Sequence, residues 1–305
     1  MKGLANLGNT CYLNAALQCL LYVPGLTNYV LQGWAEKDVS RKRINACALA
    51  AAYIRLVKDR WMPDGPEGTL DPGPTLAALA KLHRPFATRC PHDAHEAAAL
   101  VLKHLHDALA RTPRIRPSPA EGAVHAAAWE AGIAAEGYSI VTELFCGQTE
   151  CLVADDHGAY SSTTHEHFVG LTLDLAGCGG VDQALAKAFA PSRIEGYALD
   201  SGAVVDVTLT KRLLYCPLVL VLHLNRFAED GSKVDRFVDY STTLNVPGHG
   251  LWDLFAVCLH ADGHYRAACE TRGQWYLLDD AGCTTLDMNS VITKEAYVLF
   301  YKKRL

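Results

Sequence analysis

Gly3-Leu-Ala-Asn-Leu-Gly-Asn-Thr-Cys11-Tyr-Leu-Asn-Ala-Ala-Leu-Gln-Cys-Leu20 is the stretch from which the rest of the chain is best read. Its first half is rich in Gly and Asn, the residues of tight turns. In its second half Leu13, Leu17, Leu20 and Leu21 recur at helical spacing from Thr10 to about Tyr22, and Pro24 and Gly25 stop the run. Cys11 therefore falls in the first turn of a helix. There, unpaired backbone N–H groups and the positive end of the dipole favour an anionic sulfur over a thiol. Asn6, earlier in the same turn, is placed to aim its amide N–H at an oxyanion developing beside that sulfur. Spacing alone also admits a Cys11 that is a small buried hydrophobe.

A cysteine nucleophile needs a base, which can lie far away in sequence. Near the other end stands Leu259-His260-Ala-Asp-Gly-His264-Tyr-Arg, followed by Gln274-Trp-Tyr-Leu-Leu-Asp279-Asp280. Gly263 permits a tight turn into a strand that begins at His264, and the next strand ends in the acidic pair. Adjacent hairpin strands bring such groups together, so a carboxylate can orient the imidazole in a Cys-His-Asp arrangement. A histidine at a turn and an aspartate at a strand end are also ordinary structural features.

Composition limits the alternatives. The 305 residues carry 28 Lys+Arg against 33 Asp+Glu, a formal net charge of −5, which argues against a nucleic-acid binder held by phosphate contacts. With 50% hydrophobic and 20% charged residues the chain is globular and not disordered. No apolar run is long enough to span a bilayer; Pro217–Leu222 is the longest strand-like one. The N-terminus lacks the unbroken apolar stretch of a secretion signal. The 11 cysteines are odd in number, scattered from Cys11 to Cys283 and free of Cys-x-x-Cys pairs. A reducing compartment, cytoplasmic or nuclear, is expected, and neither a disulfide framework nor a structural zinc site.

Further helices are expected over Ile44–Val57 and Ala94–Leu109, the latter capped by Asp93 with Glu96 three residues on. Arg111–Pro119, with three prolines, reads as a surface connection, and Ala123–Ala135 as one short helix. Beyond Tyr138 the texture becomes β-branched and aromatic. Strands are expected at Ile140–Phe145, Phe168–Leu175, Val204–Leu209, Leu218–Leu224, Leu254–Leu259, Tyr265–Cys269, Trp275–Leu278 and Ala296–Tyr301. The fold class is α+β: a helical lobe, then a mainly antiparallel sheet lobe, with a cleft between them.

Gly3–Leu20 resembles the cysteine box of the ubiquitin-specific proteases, Gly-Leu-x-Asn-Leu-Gly-Asn-Thr-Cys-Tyr-x-Asn, at every named position. Gly263-His264-Tyr265, Trp275–Asp280 and Glu295-Ala-Tyr-Val-Leu-Phe-Tyr301 are similar to the same family's histidine box. Leu220-Val-Leu-His-Leu-Asn-Arg-Phe227 is similar to its Val-Leu-His-Leu-Lys-Arg-Phe strand. The resemblance implies a papain-like right-hand fold of thumb, palm and fingers in one catalytic domain over residues 3–303. Thumb and connection would occupy about 1–137, fingers and palm about 138–305. It implies a thiol-dependent deubiquitinase with Cys11 as nucleophile, His264 as base, Asp279 as the residue orienting it and Asn6 as oxyanion donor. Asp280 is the alternative to Asp279. Asp93 and Tyr265 would face the ubiquitin tail, Asp93 capping its helix with one oxygen and keeping the other free. The implied partner is ubiquitin or a ubiquitinated protein, bound by a monomer that needs no cofactor, nucleic acid or membrane.

The departures from the pattern carry expectations of their own. Pro91-His92 replace the family's Gln-Gln before Asp93. The four zinc-ligand positions of the fingers fall on Ala154, His157, Leu199 and Gly202, three of which cannot bind zinc, so no metal is expected. Cys146 and Cys151 read as buried thiols, His165 and His167 as solvated, and Lys302-Lys-Arg304 as a solvated chain end. The short His260–His264 loop should leave the channel open. The chain starts just before the cysteine box, which suggests a catalytic core with no targeting or adaptor domain. Two other readings remain: a non-catalytic ubiquitin-binding module, and a protease for a ubiquitin-like modifier.

Overall fold

The computed structural model describes residues 1–39, 44–111, 125–227 and 234–304. The expected connection after Arg111 lies mostly outside these residues. The helical lobe contains α1 (Cys11–Leu21), α2 (Pro24–Leu31), α3 (Trp34–Asp38), α4 (Ile44–Trp61), α5 (Gly73–Leu82) and α6 (Ala94–Leu109). Every residue of α1 is buried, so it forms the axis of this lobe. Its leucines each contribute about 1.5–3 kcal/mol through burial. The Asp93 side chain accepts from the backbone N–H of His95 and Glu96, which fixes the start of α6 at the expected residue.

After α7 (Ala126–Glu136), residues Ile140–Phe145 form a helix, α8, and not the expected strand. Ser139 and Thr142 make a reciprocal capping box there. Those local hydrogen bonds outweigh the β-propensity of so short an apolar run.

A four-stranded antiparallel sheet follows, ordered β2-β1-β5-β4: β1 (Gly147–Asp155), β2 (Ser161–Phe168), β4 (Ser192–Ala198) and β5 (Val204–Tyr215). Between β2 and β4 the chain leaves for β3 (Leu171–Asp174) and α9 (Val181–Ala188). The main sheet runs β11-β10-β9-β8-β12-β6-β3, with β7 paired to β8. Its remaining members are β6 (Val219–Asn225), β7 (Thr243–Val246), β8 (Gly250–Ala261), β9 (His264–Thr271), β10 (Gln274–Asp279), β11 (Gly282–Leu286) and β12 (Ala296–Lys303). All pairings in it are antiparallel except β3 with β6.

Alternation along β6 shows why its sequence reads as an unbroken apolar run. Val219 and Val221 join the core that contains α1, α4 and α6, whereas Leu220, Leu222 and Leu224 join the core on the opposite face, under α9. The sheet is buried on both faces at its centre.

Of the side chains expected to be solvated, His165 is largely withdrawn from solvent, whereas His167 and the basic chain end stay at least partly exposed. Lys302 and Lys303 end β12: Lys302 pairs with Glu270 at 3.5 Å and Lys303 lies 5.2 Å from the Trp252 ring centroid, while Arg304 pairs with Asp253. The β12 register carries this basic end across β8, with the Lys302 and Arg304 side chains still 40% and 50% exposed. His165 stacks on His125 with centroids 3.8 Å apart and reaches Glu150, and His167 packs edge-on to Trp129 at 4.9 Å. Burial lowers the His167 pKa below the usual imidazole range. These rings dock α7 against β2. Cys146 and Cys151 are buried, as expected.

Candidate active site

The segment before α1 is tied around one atom. Asn6 Oδ1 accepts from the N–H of Gly8 at 2.9 Å and from the N–H and hydroxyl of Thr10 at 3.3 Å each. Thr10 Oγ1 accepts from Leu7 N–H at 2.9 Å, and Asn9 Nδ2 donates to Arg89 O at 2.8 Å. Gly8 (φ 99°) and Asn9 (φ 53°) take left-handed conformations that these residue types tolerate. The result delivers Cys11, 8% exposed, as the first residue of α1. α1 in turn packs on β9, the strand that begins at His264.

The turn before His264 is a two-residue hairpin loop, Ala261 pairing with His264. Asp262 (φ 51°) and Gly263 (φ 75°) are both left-handed, the type I′ geometry that an Asp-Gly pair supports. β9 and β10 then run antiparallel with Leu278 opposite Ala267, so Asp279 at the end of β10 reaches His264. His264 Nε2 and Asp279 Oδ1 are 2.7 Å apart, with side chains 41% and 47% exposed. That bond commits Nε2 and leaves Nδ1 as the nitrogen available to a sulfur.

The structure brings Asp279, and not Asp280, to the imidazole. Asp280 occupies the β10–β11 turn at φ 47°. Its carbonyl accepts from Leu4 N–H at 2.7 Å and its Oδ2 from Asn6 Nδ2 at 2.7 Å. The close approach needs Gly3: a Cβ there would lie 2.2 Å from Ala281 O. The expected oxyanion donor thus has one amide hydrogen on Asp280 and a second not used by that bond. Among the described residues, His264, Asp279 and Asp280 are the group whose donor atoms, all within 4.8 Å, are suited to a metal ion. They are already engaged with one another and with neighbouring amides.

Asp93 and Tyr265 lie behind this cluster in one aromatic group. Asp93 Oδ1 caps α6 through His95 N at 2.6 Å and Glu96 N at 3.2 Å. The second oxygen, expected to be free, accepts the Tyr297 hydroxyl, because β12 carries that buried tyrosine directly under the helix start. Tyr265 is 7% exposed, stacks on His260 at 4.2 Å and tilts toward Tyr297 at 5.7 Å. Burial, and then the nearby Asp93 charge, hold its hydroxyl well above the usual phenol range. Phe227, 41% exposed, borders the group beside His260 and Tyr297.

Sequence reasoning missed Tyr297 and His223. His223 stacks on His95 with centroids 4.0 Å apart, meets Tyr297 edge-on at 4.9 Å and sits near Thr172. Both missed residues stand in blocks that carried the family resemblance, but their partners come from α6, and nothing local announces that. Pro91-His92, in place of two glutamines, puts His92 stacked on Phe86 at 4.6 Å and edge-on to Tyr12 at 5.2 Å.

The family model described as ubiquitin carboxyl-terminal hydrolase matches residues 2–301. Ubiquitin carboxyl-terminal hydrolase 17 of Homo sapiens is 30% identical over 322 residues, 98% of this chain and 55% of that protein. The 17-like protein C of Mus musculus is 30% identical over 319 residues, 98% of this chain and 54% of its own length. The chain therefore spans about half the length of these relatives, one of which, human 17-like protein 8, is named inactive. Among solved structures, a SAGA DUB module of Ubp8, Sgf11, Sus1 and Sgf73 bound to monoubiquitin matches with TM-score 0.80 at 22% identity, over 100% of this chain and 69% of the matched one. The same module bound to ubiquitin aldehyde gives 0.78 at 21%, over 100% and 70%. At this identity the likeness speaks for the fold.

Proposed function

This chain belongs to the ubiquitin carboxyl-terminal hydrolase family, and from that membership we propose that it is a cysteine-type deubiquitinase. Residues 3–303 would form one catalytic domain that hydrolyses the bond following the C-terminal glycine of ubiquitin. The observation that carries the reading is the His264–Asp279 bond at the start of β9, the strand packed against α1, which begins with Cys11. Cys11 gives its proton to His264 Nδ1 and attacks the ubiquitin carbonyl, and the free Asn6 hydrogen meets the oxyanion. His264 returns the proton to the leaving amine, leaving an acyl-enzyme. Water, deprotonated by His264, then releases ubiquitin and restores the thiol. Asp279 orients the ring and stabilises its charged form during both transfers. No step calls for a cofactor.

The Asp93, Tyr265 and Phe227 group is the proposed seat of the ubiquitin tail. The proposed monomer would act in the cytoplasm or nucleus, a reducing setting that accords with an odd set of 11 cysteines lacking Cys-x-x-Cys pairs.

Ubiquitin carrying a C-terminal electrophile, followed by intact mass, tests the reading. One adduct is expected, abolished in Cys11→Ala and absent with a ubiquitin-like probe. Tight binding of ubiquitin without an adduct would instead mark a non-catalytic binding module. Reaction with the ubiquitin-like probe alone would change the modifier.

A further inference from the structure

We propose that Asn14 is a positioning residue for oxyanion stabilisation: it holds the Asp280 carboxylate, which holds the Asn6 amide beside Cys11. This rests on the hydrolase reading above and adds a residue to it.

Asn14 lies one turn beyond Cys11 on α1 and is 2% exposed. Its Nδ2 donates to Asp280 Oδ1 at 2.8 Å and has Ala5 O at 3.2 Å and Leu4 O at 3.4 Å beside it. Three acceptors decide which way the amide faces, since the reverse orientation would set oxygen against oxygen. That orientation leaves Asn14 Oδ1 buried without a donor. An orphaned core acceptor is destabilising, and it is retained at a site that uses the donor end of the same amide.

The chain of contacts runs onward to the reacting centre. Asp280 accepts from Asn14 with one oxygen and from Asn6 with the other, at 2.8 and 2.7 Å. Its backbone is anchored to the same segment by Leu4 N–H. With both oxygens engaged, Asp280 is held off His264, although one of its oxygens lies within 4.8 Å of a His264 ring nitrogen and an Asp279 oxygen. Asn6 is clamped from both ends, its oxygen by Gly8 and Thr10 and its nitrogen by Asp280. Remove Asn14 and the carboxylate is free to swing toward the imidazole, so the Asn6 plane loses its support.

Two reactions of the same sulfur separate this role from a general structural one. Hydrolysis of a ubiquitin C-terminal fluorogenic amide builds an oxyanion. Displacement by Cys11 of bromide from ubiquitin ending in a bromoethylamide forms a thioether and releases bromide, with no oxyanion. With Asn14→Ala, kcat for hydrolysis is expected to fall about 30- to 100-fold, with KM within about twofold and alkylation within about threefold of wild type. Asn6→Ala should match it, and the double variant should be little worse than either alone. If Asn14→Ala fails to fold, Asp280→Ala interrupts the same chain from its other member. Equal loss of both reactions, or loss of neither, overturns the proposal. A wild-type protein inert in both overturns the hydrolase reading itself.

Discussion

At the residue scale, neighbouring carboxylates have separate tasks because their backbones differ. Asp279 ends a regular strand and points at His264, whereas Asp280 starts a left-handed turn and points back to the N-terminal segment. A sequence alone cannot rank the two, since one residue of strand rotation exchanges them. The structure puts the imidazole on Asp279. Asp279→Ala should therefore lower kcat on a ubiquitin amide about a hundredfold with KM nearly constant. A variant within threefold of wild type would move the orienting role elsewhere. Asp93 makes the same point: its cap was legible from Asp-x-x-Glu, while the Tyr297 hydroxyl on its other oxygen depends on a strand some two hundred residues away.

At the element scale, α6 and β6 are joined by the His95–His223 stack. Burial lowers both pKa values, His95 lowers that of His223 further, and the Asp93 charge acts the other way on both. His223 is pushed down to about 4. The folded protein thus binds fewer protons here than the unfolded chain. The stability is complete above the unfolded imidazole value near 6.5 and is lost as pH falls toward about 4, on the order of 3 kcal/mol for His223. Denaturant unfolding from pH 7 to 4 should show a shallower decline in His223→Gln than in wild type; parallel curves would remove this pair as the cause. Elements with strong local signals were legible: α1, α6 and the apolar strands of the main sheet. Polar strands such as Ser161–Phe168 were not, because with most of their residues facing solvent they lack an alternating apolar pattern.

At the scale of the whole molecule, the papain-like right hand keeps its shape without the usual ligand set in its fingers. Ala154 and His157 lie at the β1 end, and Leu199 and Gly202 in the β4–β5 turn, where Leu199 N–H donates to Ala203 O at 2.8 Å. Pairing of β1 with β2 and β5, and of β5 with β4, joins this sheet. A strong chelator should leave the melting temperature unchanged; a fall of several degrees would reveal a structural metal. The sequence by itself determined the helical entry that presents Cys11, the Asp-Gly turn before His264, the Asp93 cap and the order of helical and sheet lobes. Each of those is set by contacts within a few residues. Which aspartate meets the imidazole, what occupies the second oxygen of Asp93, and what the buried Asn14 amide binds were decided by tertiary structure. Those contacts close over long separations, and only the packing of α1 and α6 against the sheet brings their two ends together.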